Sequence, residues 1–102
     1  MAGVGKLLKQ AQKMQKKIEE TNQALFAEKI EVSYGGGAVK LSVNGHGEVQ
    51  TLELDAEFLK EDKKTVEDAI LGALAEGIAK SKALHQERMQ AATAGFTLGA
   101  GA

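Results

Sequence analysis

A chain of 102 residues with 43% hydrophobic and 26% charged side chains makes one domain with a modest core, near the size at which burying enough apolar surface calls for a partner. Net charge is −1, but residues 1 to 17 hold five lysines and no acid, which leaves −6 on the rest, and a basic arm on an acidic body suits a polyanion. Cysteine is absent, excluding disulfides and thiolate metal sites, and no apolar run approaches the roughly 18 to 20 residues of a membrane span, so the composition reads as a soluble intracellular protein.

A short flexible lead, Met1 to Gly5, precedes a predicted helix from Lys6 to about Glu28, a stretch of good helix formers without Gly or Pro. Leu7, Ala11, Met14, Ile18, Thr21 and Leu25 recur in alternating steps of four and three, which is a heptad seam built to pack. Lys6, Lys9, Lys13, Lys16 and Lys17 fall away from that seam. The far side of the helix is a stripe of positive charge.

After Lys29 the period changes to two. Ile30, Val32 and Tyr34 alternate with polar residues as in a half-buried strand, and Val39, Leu41 and Val43 do so again after the turn Gly35-Gly36-Gly37. Asn44-Gly45 is a hairpin signal, with His46-Gly47 able to lengthen the loop. A third strand follows from about Glu48 to Leu54, with Val49 out of step with Leu52 and Leu54, which predicts a bulge near Gln50 or Thr51.

Phe58 and Leu59 are expected to plug the core, and Asp62 or Thr65 to cap a second long helix. Val66, Ile70, Ala73, Leu74, Ile78, Leu84 and Met89 carry its period to about Ala92, while Ala69, Ala73 and Gly77 line one side where another backbone can come close. These elements define a single domain over residues 1–92. Residues 93–102, small and glycine-rich, are expected to form a flexible tail.

The sketch is an α+β fold: a long N-terminal helix, a three-stranded antiparallel meander and a long C-terminal helix. A three-stranded sheet is only about 15 Å wide, whereas helices of this length reach about 35 Å or more. Their ends therefore project, and the uncovered seam is expected to find a second copy in a homodimer. The competing arrangement pairs the two helices within one chain as a hairpin-like arm.

KLLKQAQKMQKKIEE in the first helix, the block YGGGAVKLSVNGHGEVQTLELD and the helix start DKKTVEDAI together resemble the YbaB/EbfC family of small bacterial nucleoid-associated proteins, over about residues 6 to 92. The tail departs from that pattern, having no proline. The resemblance implies this same element order, a homodimer whose helices project like the arms of tweezers, binding of double-stranded DNA with little sequence preference, and a place in the cytoplasm within the nucleoid.

The residues support that expectation in part on their own. Exposed helix faces usually mix signs, because opposite charges four residues apart support the helix. Glu19 and Glu20 enter only after Lys17. Unpaired lysines crowded into three turns repel one another, and phosphate relieves the repulsion. Lysine is a point charge that does not read bases, so affinity without much specificity is expected. Lys80, Lys82 and Arg88 form a second, sparser basic group that extends the footprint if the arms of a dimer come together. Two other readings compete: a protein-interaction module using the seam of Leu7, Ala11, Met14, Ile18 and Leu25, and an amphipathic helix on anionic lipid, which the small residues Ala11 and Thr21 disfavour.

Catalysis and cofactors find no footing. The Gly35–Gly37 turn lacks the GK[ST] and following helix of a phosphate cradle. His46 and His85 have no cysteine or spaced histidine for a metal site, and no serine is set beside a base for nucleophilic chemistry. No metal, small-molecule substrate or cofactor is expected.

Overall fold

The computed structural model describes residues 2–96. Helix α1 spans Ala2–Ala27, followed by strands β1 (Ile30–Tyr34), β2 (Val39–Val43) and β3 (Val49–Leu54), a 3-10 turn at Phe58–Lys60, helix α2 (Lys63–Thr93) and a 3-10 turn at Ala94–Phe96. The sheet is an antiparallel meander in the order β1-β2-β3, so the expected α+β arrangement is present.

Two boundaries differ from expectation. Helix α1 begins at Ala2, so residues 2–5 of the lead expected to be flexible are helical, Met1 lying outside the described residues. Once a helix has nucleated, each further residue adds a hydrogen bond, and this outweighs the propensity cost of Gly3 and Gly5. At the other end, helical structure continues to Phe96, through the first residues of the expected tail. The remainder of that tail, 97–102, lies outside the described residues.

The turns follow from their glycines. Gly35, Gly36 and Gly37 hold φ of 63, 68 and 96°, a region costly for any residue with a Cβ. In the second hairpin Ser42 pairs with Thr51 but Val43 pairs with Val49, leaving Gln50 as the extra residue of a bulge. The misfit of Val49 in the sequence is that bulge.

Val32, Val39, Leu41 and Val43 point to one face of the sheet and are buried beneath α2, together with Ala73. A Cβ on Gly77 would meet Leu41 Cδ1 at 3.1 Å and Val43 Cγ1 at 3.3 Å. Glycine there lets the helix settle onto the strands, and the small-residue stripe Ala69-Ala73-Gly77 extends to buried Ser81. Phe58 packs against this core. Leu59, expected inside, and Ile78, part of the apolar period of α2, are 52% and 51% exposed; α2 lies over β1 and β2 and leaves β3 open.

The radius of gyration is 20.0 Å, against about 13 Å for a compact chain of this length. Extension comes from the helices. Arg88 of α2 bonds Glu28 just beyond α1, while Ala91 and Ala92 lie across from Lys17, Thr21 and Ala24. As numbers rise along α2 they fall along α1, so the two helices run antiparallel as an arm within one chain. The end of α2 reaches only the middle of α1, and the residues before about Met14 project alone.

Candidate nucleic-acid interface

The seam of α1 is covered by degrees. Leu25 is 0% exposed; Thr21, Ile18 and Met14 are half-buried, Ala11 is exposed and Leu7 is 52% exposed. The first part of this gradient follows the reach of α2, so intramolecular pairing accounts for the lower half of the seam. Above it, Val4, Leu7 and Leu8 stand in solvent.

Lys6, Lys9, Lys13, Lys16 and Lys17 are all exposed. Eleven residues of helix place Lys6 and Lys17 about 17 Å apart, with the five side chains confined to about a third of the circumference by the 100° step. Among the described residues there are five ion pairs, and each draws its cation from outside this stripe. The stripe keeps its charge unspent, which leaves it able to take up phosphate.

The second basic group is not brought into one surface. Lys80 pairs with Glu76 at 3.5 Å on the same helix. The Arg88 guanidinium donates to Glu28 Oε1 at 2.8 Å, joining α2 to the end of α1. Lys82 has no carboxylate partner among the described residues and borders a shallow hollow with Gly45, His46, Gly47, Ile78 and His85.

The arm is held to the body at the β2–β3 turn, a role the sequence alone did not disclose. Asn44 is 2% exposed; its Oδ1 accepts the His46 and Glu48 amides at 2.8 and 3.1 Å, and its Nδ2 donates to Glu48 Oε1 at 2.6 Å. The turn so fixed grips both helices. The Gly45 amide donates to the Leu25 carbonyl at 2.8 Å, and Ser81 Oγ donates to the Asn44 carbonyl at 2.8 Å. His46 Nε2 lies 2.8 Å from the Asn22 carbonyl, so that nitrogen carries the hydrogen. A Cβ on Gly45 would overlap Leu25. The available signal was the pair of glycines around His46, which reads as an ordinary hairpin loop until α1 is seen lying against it.

Over residues 1–96 the sequence matches the profile of the YbaB/EbfC DNA-binding family. A nucleoid-associated protein of Bordetella avium is 35% identical over 92 residues, covering 90% of this chain and 85% of that protein. A nucleoid-associated protein of Hahella chejuensis is 33% identical over 93 residues, covering 91% and 86%. The crystal structure of an uncharacterized protein from Helicobacter pylori is similar with a TM-score of 0.65 at 26% identity, over 72% of this chain and 87% of that one.

Proposed function

This chain belongs to the YbaB/EbfC DNA-binding family, and from that premise we propose a bacterial nucleoid-associated protein that grips duplex DNA by its phosphates, through Lys6, Lys9, Lys13, Lys16 and Lys17. The observation that carries this reading is a cationic stripe with no internal counterion among the described residues, on the projecting half of α1. Point charges aligned on a rod contact backbone and not base edges, so binding is tolerant of sequence. Lys82 is an auxiliary contact; Lys80 and Arg88 are left to the fold. The reading includes no catalytic step and no cofactor, and its place is the nucleoid in the cytoplasm.

The working unit in this reading is a homodimer. Leu52 aligns with buried Leu41 on the helix-side face of the sheet, yet it is 50% exposed. Leu71 and Ile78 are spaced seven residues apart on α2, on the flank away from Gly72, whose backbone meets Tyr34 of β1. That flank is the one away from β1, and the two residues are 64% and 51% exposed. Exposed apolar side chains beside an open edge strand are satisfied by the same patch of a second copy. Two projecting α1 helices then present two lysine stripes.

A salt titration on several unrelated duplexes tests the reading. With six to eight phosphate contacts shared by two arms, log K falls against log salt with a slope of about −5 to −7, nearly the same for every sequence. A slope near −1, or undiminished binding by a variant with Lys9, Lys13 and Lys16 changed to Glu, defeats it.

A further inference from the structure

The two asparagines of the chain stand in opposite chemical situations. Asn22 lies within α1 and is followed by Gln23. Asn44 is followed by Gly45, the neighbour that leaves an asparagine most prone to deamidate, because no side chain shields its amide nitrogen and its backbone turns freely. Yet this pair is enclosed: Asn44 is 2% exposed and Gly45 is buried with it.

Packing dictates both residues. A Cβ on Gly45 would come within 2.9 Å of the Leu25 carbonyl, so only glycine fits. The Asn44 side chain accepts the His46 and Glu48 amides through Oδ1 while donating to Glu48 Oε1 through Nδ2, and an aspartate lacks that donor. The fold keeps a reactive dipeptide where neither member can be replaced.

We propose that Asn44-Gly45 is a latent modification site, held closed by α1 and α2, at which opening of the turn is converted into a permanent change of the chain. In the first step the Gly45 nitrogen bonds to Asn44 Cγ, and Nδ2 leaves as ammonia with the hydrogen given up by the Gly45 amide. Water then opens the five-membered imide. Breaking the new bond to Cγ yields aspartate; breaking the bond from that nitrogen to the Asn44 main-chain carbonyl carbon yields isoaspartate, with the backbone rerouted through Cγ.

The native turn blocks the first step. The Gly45 amide donates to the Leu25 carbonyl at 2.8 Å, so the nucleophile is engaged by α1. The Asn44 carbonyl receives Ser81 Oγ at 2.8 Å and the Gly47 amide at 3.1 Å, which fixes the peptide that must rotate to bring nitrogen to Cγ. The two amides on Oδ1 would polarise the carbonyl and favour attack, so protection rests on the held peptide. His46 adds a clamp on α1: its ring bonds the Asn22 carbonyl and lies 4.1 Å from that of Phe26.

Neither product rebuilds the turn. Aspartate sets a carboxylate against that of Glu48, where Asn44 Nδ2 now donates at 2.6 Å, and like charges repel. Isoaspartate makes a free carboxylate of the carbonyl that receives Ser81 and lengthens the backbone by one methylene. Either change loosens the turn that joins the two helices.

Full-length protein is aged in warm, mildly alkaline buffer beside a synthetic peptide of residues 41–60, which is also the tryptic fragment containing Asn44. Deamidation is read in that fragment by a gain of one mass unit and by enzymatic methylation of isoaspartate; the fragment 18–29, with Asn22, is the internal control. The folded chain is expected to react about tenfold more slowly than the peptide, or slower still. Ser81→Ala and Phe26→Ala leave residues 41–60 unchanged and weaken their hold, so both should speed the folded reaction. For Ser81→Ala the gain is about two- to tenfold, the equivalent of one lost hydrogen bond. Asn44→Asp should lower the denaturation midpoint. A folded chain as reactive as the peptide, two variants no faster than the parent, or an Asn44→Asp midpoint equal to the parent's overturns the proposal. DNA is absent throughout, so failure here is distinct from failure of the lysine stripe.

Discussion

Ser81 on α2 and Asn44 in the β2–β3 turn, each 2% exposed, are joined by a 2.8 Å bond from the serine hydroxyl to the asparagine carbonyl. Thirty-seven residues separate them in sequence. Replacing Ser81 by Ala removes one of two donors to that carbonyl, which keeps the Gly47 amide at 3.1 Å, at a cost of about 0.5–1.5 kcal/mol. Denaturant unfolding of Ser81→Ala measures it, and a loss below a few tenths would mean that water takes over the contact.

Four residues up the helix, Gly77 sits where Leu41 and Val43 leave no room. Gly77→Ala combines a gain in helix propensity with a tight contact, so its sign is set by how far those side chains give. Gly77→Val is unambiguous: the branched side chain overpacks the core and destabilises by about 1–3 kcal/mol or more, seen as a lowered denaturation midpoint. A midpoint equal to the parent's would place the helix farther from the sheet.

Much of this framework can be read in the chain because it is written in local pattern. The triple glycine demands positive φ, the misfit of Val49 marks the bulge at Gln50, and the spacing of Ala69, Ala73 and Gly77 announces the close helix. Ile78 and Leu59 show where such reading stops. Periodicity says which face of a helix is apolar, but only the width of the sheet beneath decides how much of that face is covered. The His46 site is illegible for a related reason: its partners Asn22 and His85 lie 24 residues before and 39 after it, and nothing local couples them. The lysine stripe, by contrast, needs only a helix to be seen, and residues 6 to 28 are helix formers throughout.

The start of α2 makes a pH-dependent contribution. Asp62 is its N-cap, and the Thr65 hydroxyl, donating to the carboxylate, is the main cause holding its pKa below the ordinary aspartate value. A carboxyl depressed on folding stabilises the native state above the unfolded pKa, and that contribution fades as pH falls through the lower folded value. The Asp62 carboxyl, followed by carbon NMR, should titrate below the ordinary aspartate value. Thr65→Val should raise it toward that value, and an unmoved titration would transfer the effect to the backbone amides.

The exposed apolar side chains Leu52, Leu71 and Ile78 predict how a dimer would be disrupted. Leu52→Glu combined with Ile78→Lys removes two half-exposed side chains without touching a buried one, so the monomer fold should survive with unchanged circular dichroism. Sedimentation should then give the mass of one chain instead of two. Duplex affinity should fall with it, since the two stripes no longer act together and the advantage of linkage disappears. A double variant that still sediments as a dimer would move the interface elsewhere, with the exposed Val4, Leu7 and Leu8 of the arm as the next place to look.

Arg88 and Lys13 separate holding the arm from using it. The Arg88 side chain is 39% exposed and that of Glu28 33%, so their bond is partly screened, and Arg88→Gln should cost about 1 kcal/mol of stability. Its salt slope on duplex DNA should match the parent's, because the guanidinium is already engaged. Lys13→Gln should do the reverse: the lysine has no carboxylate partner among the described residues, so stability is unchanged or rises slightly as repulsion along the stripe eases. The salt slope should shrink by about 1 for each phosphate that the variant leaves unneutralised. If Arg88→Gln flattens the slope while Lys13→Gln leaves it intact, the surface that meets DNA lies on α2 and the stripe on α1 serves solubility alone.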